Sequence, residues 1–483
     1  MLKSLFLNFL TVLLFAGRTL PAAAAPPPEP VAVRFSEAYE LSNIILALTT
    51  YGQSDPFEVY KNSRYYREVR AYFAPVMQHP VLQQANYSRK GWDKYLAFRT
   101  DAYAFGFNAQ QQLVREFAFS AQGNTQPFDS LLGQVNDFAR VSGFREFYRR
   151  HQPYYDSLTV AYRQSQHLPE VLSFLTAELG PAQSSIRTTQ YAVVLSPLVY
   201  RMSCHRNVQQ VPTDFATVPE YLLSGDLRQQ PTPADVLTGI HALFTETDHG
   251  FVNPVTSAYG AQVRASFEVP KWDAGSGYDK GEYDTFNEYM TWAVYDLFAY
   301  RYFAAQAPLV CQNWAMQNES RGFLASRLFN SKLRELYVKR KKGQTVRDLY
   351  PAMVAWCRQV QPKLARPAIA TCPLQGVTLT TSLRAHYVIT FTQPLRELAS
   401  FDVLLKTDQP ASRARRIVLT RAANNLTWSE QGRRVSFDLE LANNCRNTLG
   451  LNQAWFTEVP LSTPQGVDLT VYESTIKTEV RVP

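Results

Sequence analysis

The sequence contains few cysteines, no strong excess of either charge and no hydrophobic run long enough to cross a membrane. Its five cysteines are scattered without a CxxC pair, which argues against a metal site built from thiolates. The 49 basic residues exceed the 41 acidic ones by only eight in a chain of 483, and no basic stripe with interleaved aromatic residues is present. The composition therefore favours neither a thiolate-bound metal nor a nucleic-acid partner.

The first 25 residues are typical of a secretory signal peptide. Lys3 gives a basic start, residues 5–16 form an apolar run, and small residues precede a predicted cleavage after Ala24. A run of about twelve apolar residues is shorter than the roughly 20 that a membrane-spanning helix needs. We therefore predict an exported protein, periplasmic or extracellular, with no transmembrane segment. No cysteine lies near the cleavage point, so a lipid anchor is not indicated.

The remaining chain divides by the spacing of its apolar residues. Up to about residue 365 the spacing is mostly that of helices, with a β-branched and aromatic segment around residues 190–200 that predicts a buried strand. Residues 361–373 contain three prolines and mark a boundary. Beyond them apolar residues alternate in short segments. We predict an α+β fold, with a mostly α domain containing a small sheet over residues 26–365 and an all-β sandwich over residues 372–483.

One predicted helix combines strong start signals with reactive side chains. Thr232 is suited to the N-cap, Pro233 to the first helical position, and Asp235 to the reciprocal bond of a capping box. Gly250 and Pro254 predict the end of the helix. The apolar residues of one face are Val236, Leu237, Ile240, Leu243 and Phe244.

The face opposite that apolar stripe carries a degenerate metal-binding motif. Residues 245–249 read TETDH, which is HExxH with Thr245 in place of the first histidine. In the intact motif two histidines one turn apart bind zinc, and the glutamate beside the first polarises the attacking water. Because a hydroxyl is a poor zinc ligand at neutral pH, we expect weak binding unless another group replaces the missing histidine.

The next long helix supplies a second part of the pattern. Its first turn carries Asn287 and Glu288, and it resembles the third-ligand helix of the thermolysin-like zinc peptidases. The resemblance implies that His249 corresponds to the second histidine, Glu288 to the third ligand and Glu246 to the general base. It also implies a zincin-like fold, a bound zinc ion and a peptide or protein substrate.

The order of motifs is similar to that of an uncharacterised, domain-of-unknown-function family of exported bacterial proteins. The segments HGFVNP, residues 249–254, and FNEY, residues 286–289, follow a signal peptide and an aromatic helical half. Members of that family carry an HExxH helix and a Val-Asn-Pro turn, and the resemblance implies a metallopeptidase. The strands at residues 388–391 and 439–441 resemble those of bacterial Ig-like modules, which implies spacing, docking or contact with the cell surface.

Other side chains are candidates for the metal ligand that is missing because Thr245 replaces the first histidine. Asp248 is a candidate carboxylate ligand, or a group that orients His249. His241 is excluded from the same ion, because eight helical residues separate it from His249 by about 12 Å. His205 reaches the site only through packing that the sequence does not reveal. A ligand set of His249, Glu288 and Asp248 is rich in oxygen and favours a divalent metal harder than zinc.

Three functions remain open from the sequence. The first is a secreted metal-dependent peptidase in which Glu246 activates water. The second is a catalytically inactive relative that keeps the cleft as a peptide-binding module. The third is a hydrolase that uses Glu246 and Glu288 as an acid/base pair without metal, as glycosidases do. Tyr278, in the glycine-rich loop of residues 273–281, is expected to be a surface residue or a hydrogen-bond donor over the site.

Overall fold

The computed structural model describes most of the chain from residue 31 to residue 480. Not described within that range are residues 56–57, 89–90, 122–124, 181–190, 202, 224–230, 279–280, 362–363, 410–413 and 455. The predicted signal peptide, residues 1–25, lies outside the described residues. Roughly 50% of the chain is helical and about 21% is strand, in several small sheets, so the predicted mixture of α and β structure is confirmed.

The chain up to residue 180 is mostly helical. Its elements are β1 (Val31–Phe35), α1 (Glu37–Leu48), α2 (Thr50–Ser54), α3 (Arg64–Tyr72), α4 (Pro80–Gln84), α5 (Trp92–Asp101), β2 (Phe105–Phe107), β3 (Leu113–Arg115), α6 (Pro127–Ser130), α7 (Leu132–Val141), α8 (Phe144–Ser165) and α9 (Leu168–Leu179). Helix α1 is buried on nearly its whole surface, because α5 and other elements of this part pack around it.

The middle of the chain contains a short β segment and then helices. Its elements are β4 (Tyr191–Ser196), β5 (Cys204–Val208), β6 (Val211–Thr217), α10 (Glu220–Leu223), α11 (Pro233–Ala258), α12 (Gly260–Ser266), α13 (Val269–Trp272), α14 (Glu282–Tyr302), α15 (Ala307–Arg321), α16 (Ser326–Lys339) and α17 (Val346–Val360). No helix in the described ranges is long and apolar enough to cross a membrane.

A four-stranded sheet has the order β1-β4-β6-β5, in which β1, β4 and β6 are parallel and β5 is antiparallel to β6. The strand predicted around residues 190–200 is confirmed as β4, and all six of its residues are buried. Strand β4 lies inside the sheet, and β5 is the edge strand that α11 contacts.

Helix α11 begins where the sequence predicts. The Thr232 hydroxyl accepts from the N–H of Asp235 at 3.2 Å, and the Asp235 carboxylate accepts from the N–H of Thr232 at 3.0 Å. These two bonds form a capping box. The prediction that Gly250 and Pro254 end the helix is wrong, because α11 continues to Ala258.

Burial explains why α11 continues past its proline. Phe251, Val252 and Val255 lie in its second half and are at most 7% exposed. A proline inside a helix costs about 3 kcal/mol. Burying each of these apolar side chains contributes about 1.5–3 kcal/mol, so their packing outweighs the cost of the proline.

The C-terminal part is built from two sheets that share one core. Its elements are β7 (Ile369–Thr371), β8 (Thr378–Leu379), β9 (Arg384–Phe391), β10 (Ser400–Thr407), β11 (Arg415–Thr420), α18 (Arg421–Asn424), β12 (Thr427–Ser429), β13 (Arg434–Glu440), β14 (Cys445–Leu451) and β15 (Tyr472–Thr478). The strand orders are β11-β10-β14-β15-β8 and β12-β13-β9-β7. Phe401 and Phe437, one from each sheet, meet with ring centroids 6.0 Å apart.

An ion pair between a partly exposed arginine and a buried aspartate joins the helical part to the C-terminal part. Arg327 on α16 donates from Nε to Asp468 at 2.9 Å and from Nη2 to the other oxygen of the same carboxylate. Asp468 is buried, and the main-chain N–H of Arg327 donates to Glu319 at 3.0 Å. The guanidinium therefore supplies the positive charge at an interface that holds two carboxyl groups.

We expect Arg327→Met to lower the free energy of unfolding by about 3 kcal/mol, because Asp468 then stays buried without its counter-charge. The figure is at the low end for buried pairs, since Arg327 is 28% exposed. Arg384→Met, which removes the exposed partner of Asp438, is the control and should cost less than about 1 kcal/mol. Urea denaturation measures both, and equal losses would contradict a special role for Arg327.

Candidate functional site

Helices α11 and α14 pack together and bring His249 and Glu288 into contact. The distance from His249 Nε2 to Glu288 Oε1 is 3.7 Å, and the two side chains are 23% and 16% exposed. The other ring nitrogen, Nδ1, faces the Asn253 side-chain oxygen at 3.4 Å, one helical turn further along. Asn253 thereby turns Nε2 of the imidazole towards Glu288.

Surrounding carboxyl groups control the charge of His249. Burial by itself lowers the pKa of His249, but Glu288, Asp248 and Glu246 raise it to about 9. Burial raises the pKa of Glu288, and His249 and Arg321 partly offset that effect. At neutral pH, His249 is therefore an imidazolium paired with Glu288. A metal must displace this proton, because only the neutral imidazole is a ligand.

We expect the His249 imidazole to remain protonated at pH 7.5 and to titrate near pH 9. Its pKa in the folded protein exceeds the ordinary value of 6.5, so this pair stabilises the fold fully below that value and stops doing so as pH rises through about 9. Glu288→Gln should lower the pKa. NMR of labelled histidine side chains, assigned with His249→Asn, measures it; titration at or below pH 6.5 would contradict the assignment.

Glu246 projects from α11 to the edge strand. Its carboxylate oxygen Oε2 accepts from the main-chain N–H of His205 on β5 at 3.1 Å. Burial raises the pKa of Glu246, His249 and His205 partly offset this, and Asp214 adds to it. The predicted general base is thus held by the backbone of the sheet.

Asp248 lies on a different face of α11. Two residues along a helix turn the side chain by about 200°, so Asp248 and Glu246 point to opposite sides. Asp248 is fully buried, and neither of its oxygens has a hydrogen-bond partner among the described residues. Burial raises its pKa well above the ordinary value, and the charge of His249 offsets only part of the effect. Burial thus favours the protonated form of the Asp248 carboxyl group, and the charge of His249 opposes it.

The position of the missing histidine contains no replacement ligand. The Thr245 hydroxyl donates to the carbonyl of Ala242 in the preceding turn at 3.4 Å, so its own helix satisfies it. Throughout the part of the chain that the structure describes, no three His, Cys, Asp or Glu side chains converge as a metal-binding group. His249 and Glu288 supply two ligands, whereas a zinc peptidase site uses three. The residues present therefore do not fit a preformed zinc centre.

A hydrogen-bond network that the sequence did not predict lies next to Glu246. Asp214 on β6 is buried and accepts from Tyr191 Oη at 2.5 Å, from Thr247 Oγ1 at 2.8 Å and from His205 Nδ1 at 2.8 Å. The sequence did not reveal whether His205 reaches the site, and it did not identify Asp214. The pattern that could have indicated this contact is the hairpin of β5 and β6. It sets His205 opposite Asp214, an acidic residue within a mostly buried strand.

The register of this hairpin determines which backbone groups of β5 face the open edge. Residues in an antiparallel pair alternate between bonding each other and pointing away, and His205 points away from its partner Asp214. Glu246 accepts from the His205 N–H, and Arg206 Nη1 donates to the His205 carbonyl at 2.8 Å. Two side chains of the protein thus occupy the backbone groups that an added strand would pair with.

Tyr278 lies near the His249–Glu288 pair. Its ring centroid is 5.7 Å from the guanidinium carbon of Arg321, and its side chain is partly exposed. Burial raises the pKa of Tyr278, and the charge of Glu288 raises it further. The glycine-rich loop therefore places a hydroxyl within electrostatic reach of the site, alongside the cation of Arg321.

Neither a protein-family model nor a curated protein matches the chain. Among solved structures, the S-layer protein rSbsC(31-844) is 13% identical with a TM-score of 0.17, and the match covers 51% of this chain and 34% of that one. The N-terminal part of the bacterial S-layer protein SbsC gives the same identity and score, and 58% of it is covered. The chain thus spans about a third of the longer of these proteins. A TM-score this low supports no conclusion about fold or function.

Proposed function

We propose that this chain is a peptidase-like binding protein that holds an extended peptide or protein segment along β5, beside α11. The observation that carries the proposal is the placement of β5 as an antiparallel edge strand next to the motif helix. An edge strand offers main-chain N–H and C=O groups to an extended peptide, which adds as one more strand. Zincin-like peptidases hold substrates along an edge strand in this way, and the resemblance of the two motif helices supports the same use here.

Charged and polar groups beside β5 suit a peptide ligand. Glu246, His249 and Glu288 lie within electrostatic reach of one another, the charge of Arg321 acts on Glu288, and the charge of Glu288 acts on Tyr278. A peptide backbone carries both donors and acceptors, so a site with groups of both kinds can orient it. The ligand must displace Arg206 from the His205 carbonyl to bond to that group, while Glu246 keeps the His205 N–H.

Arg206→Ala should therefore strengthen peptide binding. The guanidinium no longer competes for the His205 carbonyl, and a charged hydrogen bond worth about 1.5 kcal/mol corresponds to roughly tenfold in affinity. Fluorescence anisotropy with a labelled pool of unstructured heptapeptides measures the change.

Arg201→Ala is the matched control for that measurement. Arg201 is an exposed arginine near β5 whose guanidinium lies 4.9 Å from the centre of the Tyr200 ring. This variant should leave the affinity unchanged. If the parent protein and Arg206→Ala both fail to bind the peptides, binding at β5 is ruled out.

Metal-dependent peptide hydrolysis is the second candidate. It is favoured by the 3.7 Å contact of His249 with Glu288, the two side chains that the resemblance assigns as metal ligands. It is opposed by Thr245, whose hydroxyl is bonded within its own helix. In this candidate Glu246 is the base, and Asp248 would need to leave its buried position to become a ligand.

Zinc stoichiometry separates the two candidates. We expect the parent protein, dialysed against zinc and then buffer, to retain well under one zinc per chain, and Thr245→His to retain about one because it completes the three-ligand set. Thr245→His combined with Glu288→Gln should lose that zinc again. Elemental analysis gives the result. A stoichiometric zinc in the parent protein, with peptide cleavage that Glu246→Gln abolishes, would establish the second candidate instead.

We also propose export to the periplasm or the cell exterior, from the signal peptide predicted over residues 1–25. The C-terminal part is proposed as an Ig-like module that contacts the cell surface. Its two sheets around one core support this, although strands β8 and β15 pair in parallel. Within its described ranges the module holds no group of three or more His, Cys, Asp or Glu side chains that could bind a metal ion.

A further inference from the structure

Asp214 is the fixed point of the network beside Glu246. It is fully buried, and three side chains donate to it: Tyr191 from β4, His205 from β5 and Thr247 from α11. A buried carboxylate keeps its charge only when hydrogen bonds replace its lost hydration. Asp214 has those bonds from three elements of the fold, so its position is set before any ligand binds.

This carboxylate determines the orientation of the His205 ring. A carboxylate only accepts, so the hydrogen of the pair is on His205 Nδ1, 2.8 Å from Asp214 Oδ1. No described residue forms a hydrogen bond with Nε2 of His205, and the side chain is 18% exposed. An imidazole held through Nδ1 by a buried carboxylate is stabilised when it gains a second proton at Nε2. His205 is therefore arranged to hold and release a proton at Nε2.

Glu246 is held at the same residue by a different bond. The main-chain N–H of His205 donates to Glu246 Oε2 at 3.1 Å, which leaves Oε1 for another partner. The imidazole of His205 and the carboxylate of Glu246 are thus both held at one residue of the edge strand, where a bound peptide would lie. The other charged groups that act here are Asp214, whose oxygens accept three hydrogen bonds, and Arg206, whose guanidinium donates to the His205 carbonyl. His249 and Glu288 also act on Glu246 through their charges.

We propose that His205 and Glu246 form an acid/base pair that hydrolyses an amide bond of a peptide bound at β5, without a metal. The inference rests on the proposed peptide binding and adds a reaction to it. Asp214 is a positioning residue, because it acts through His205 and does not touch the peptide. Glu246 and His205 are the catalytic residues.

The reaction balances with water as the only co-reactant. Glu246 takes a proton from a water molecule while the water oxygen bonds to the carbonyl carbon of the peptide. The C–N bond then breaks, and its electron pair stays on nitrogen, which takes the proton from His205 Nε2. The proton held by Glu246 passes through solvent to restore His205. One amide and one water give one carboxylic acid and one amine.

The test uses the full chain with internally quenched peptides and an excess of a zinc chelator. The parent protein should cleave the peptides, and His205→Gln should cleave them at least 100-fold more slowly, the usual scale of general acid/base catalysis. Glu246→Gln should lose a similar factor because it removes the base. The amide oxygen of the glutamine can still accept from the His205 N–H, so the hydrogen bond to β5 is kept. His386→Gln is the matched control, because His386 also bonds an aspartate, Asp438 at 2.7 Å, on the exposed surface of the C-terminal part.

The pH profile separates catalysis from a structural role. The acid must carry a proton at Nε2 of His205, so kcat/KM should fall at high pH. Asp214→Asn removes the charge that stabilises the imidazolium, and the falling limb of kcat/KM should move to lower pH. If Asp214→Asn does not fold, Tyr191→Phe removes one donor to the same carboxylate, and the limb should then move to higher pH.

Each outcome supports or overturns the pair. Cleavage that the chelator abolishes, or that His205→Gln leaves unchanged, overturns it. Peptides that bind by anisotropy but are not cleaved also overturn it, and leave the proposed binding function standing. If the peptides neither bind nor are cleaved, the proposed function fails together with the inference.

Discussion

The arrangement of the site depends on one buried carboxylate. Asp214 connects the middle strand β4, the edge strand β5 and the helix α11 through three donated hydrogen bonds. Loss of any donor leaves a buried carboxyl oxygen short of a partner, which is costly in a low-dielectric interior. The relative position of edge strand and motif helix is therefore set by polar bonds as well as by packing. Glu246 adds a fourth connection, because its carboxylate bonds to the backbone of β5.

Replacement of the first motif histidine by Thr245 changes the balance of charge around the others. In an intact motif a metal compensates the carboxylates and keeps both histidines neutral. Here His249 carries the compensating positive charge itself, since Glu288, Asp248 and Glu246 raise its pKa to about 9. Asp248 is buried, and burial raises its pKa well above the ordinary value while His249 lowers it. In this site the charges of the carboxyl groups are therefore balanced by bound protons and by ion pairs with His249.

Parts of the fold that rest on local chemistry could be predicted from the sequence. Thr232, Pro233 and Asp235 mark the start of α11 because N-cap bonds involve residues only three apart. The alternating segments of the C-terminal part are strands in the structure, as expected from period two. The pairing of His249 with Glu288 came from a family resemblance, and the residues alone did not indicate it. The end of α11 was mistaken because burial of Phe251 and Val252 outweighs the local signals of Gly250 and Pro254.

The sequence by itself determined the helix that carries Thr245, Glu246 and His249, and the absence of the first motif histidine. Only the tertiary structure decided that β5 is the edge strand and that His205 and Asp214 stand beside Glu246. The physical reason is the range of the interactions. Caps and helical faces depend on neighbours within a few residues, whereas Asp214 joins residues up to 33 positions away through packing that no local pattern records.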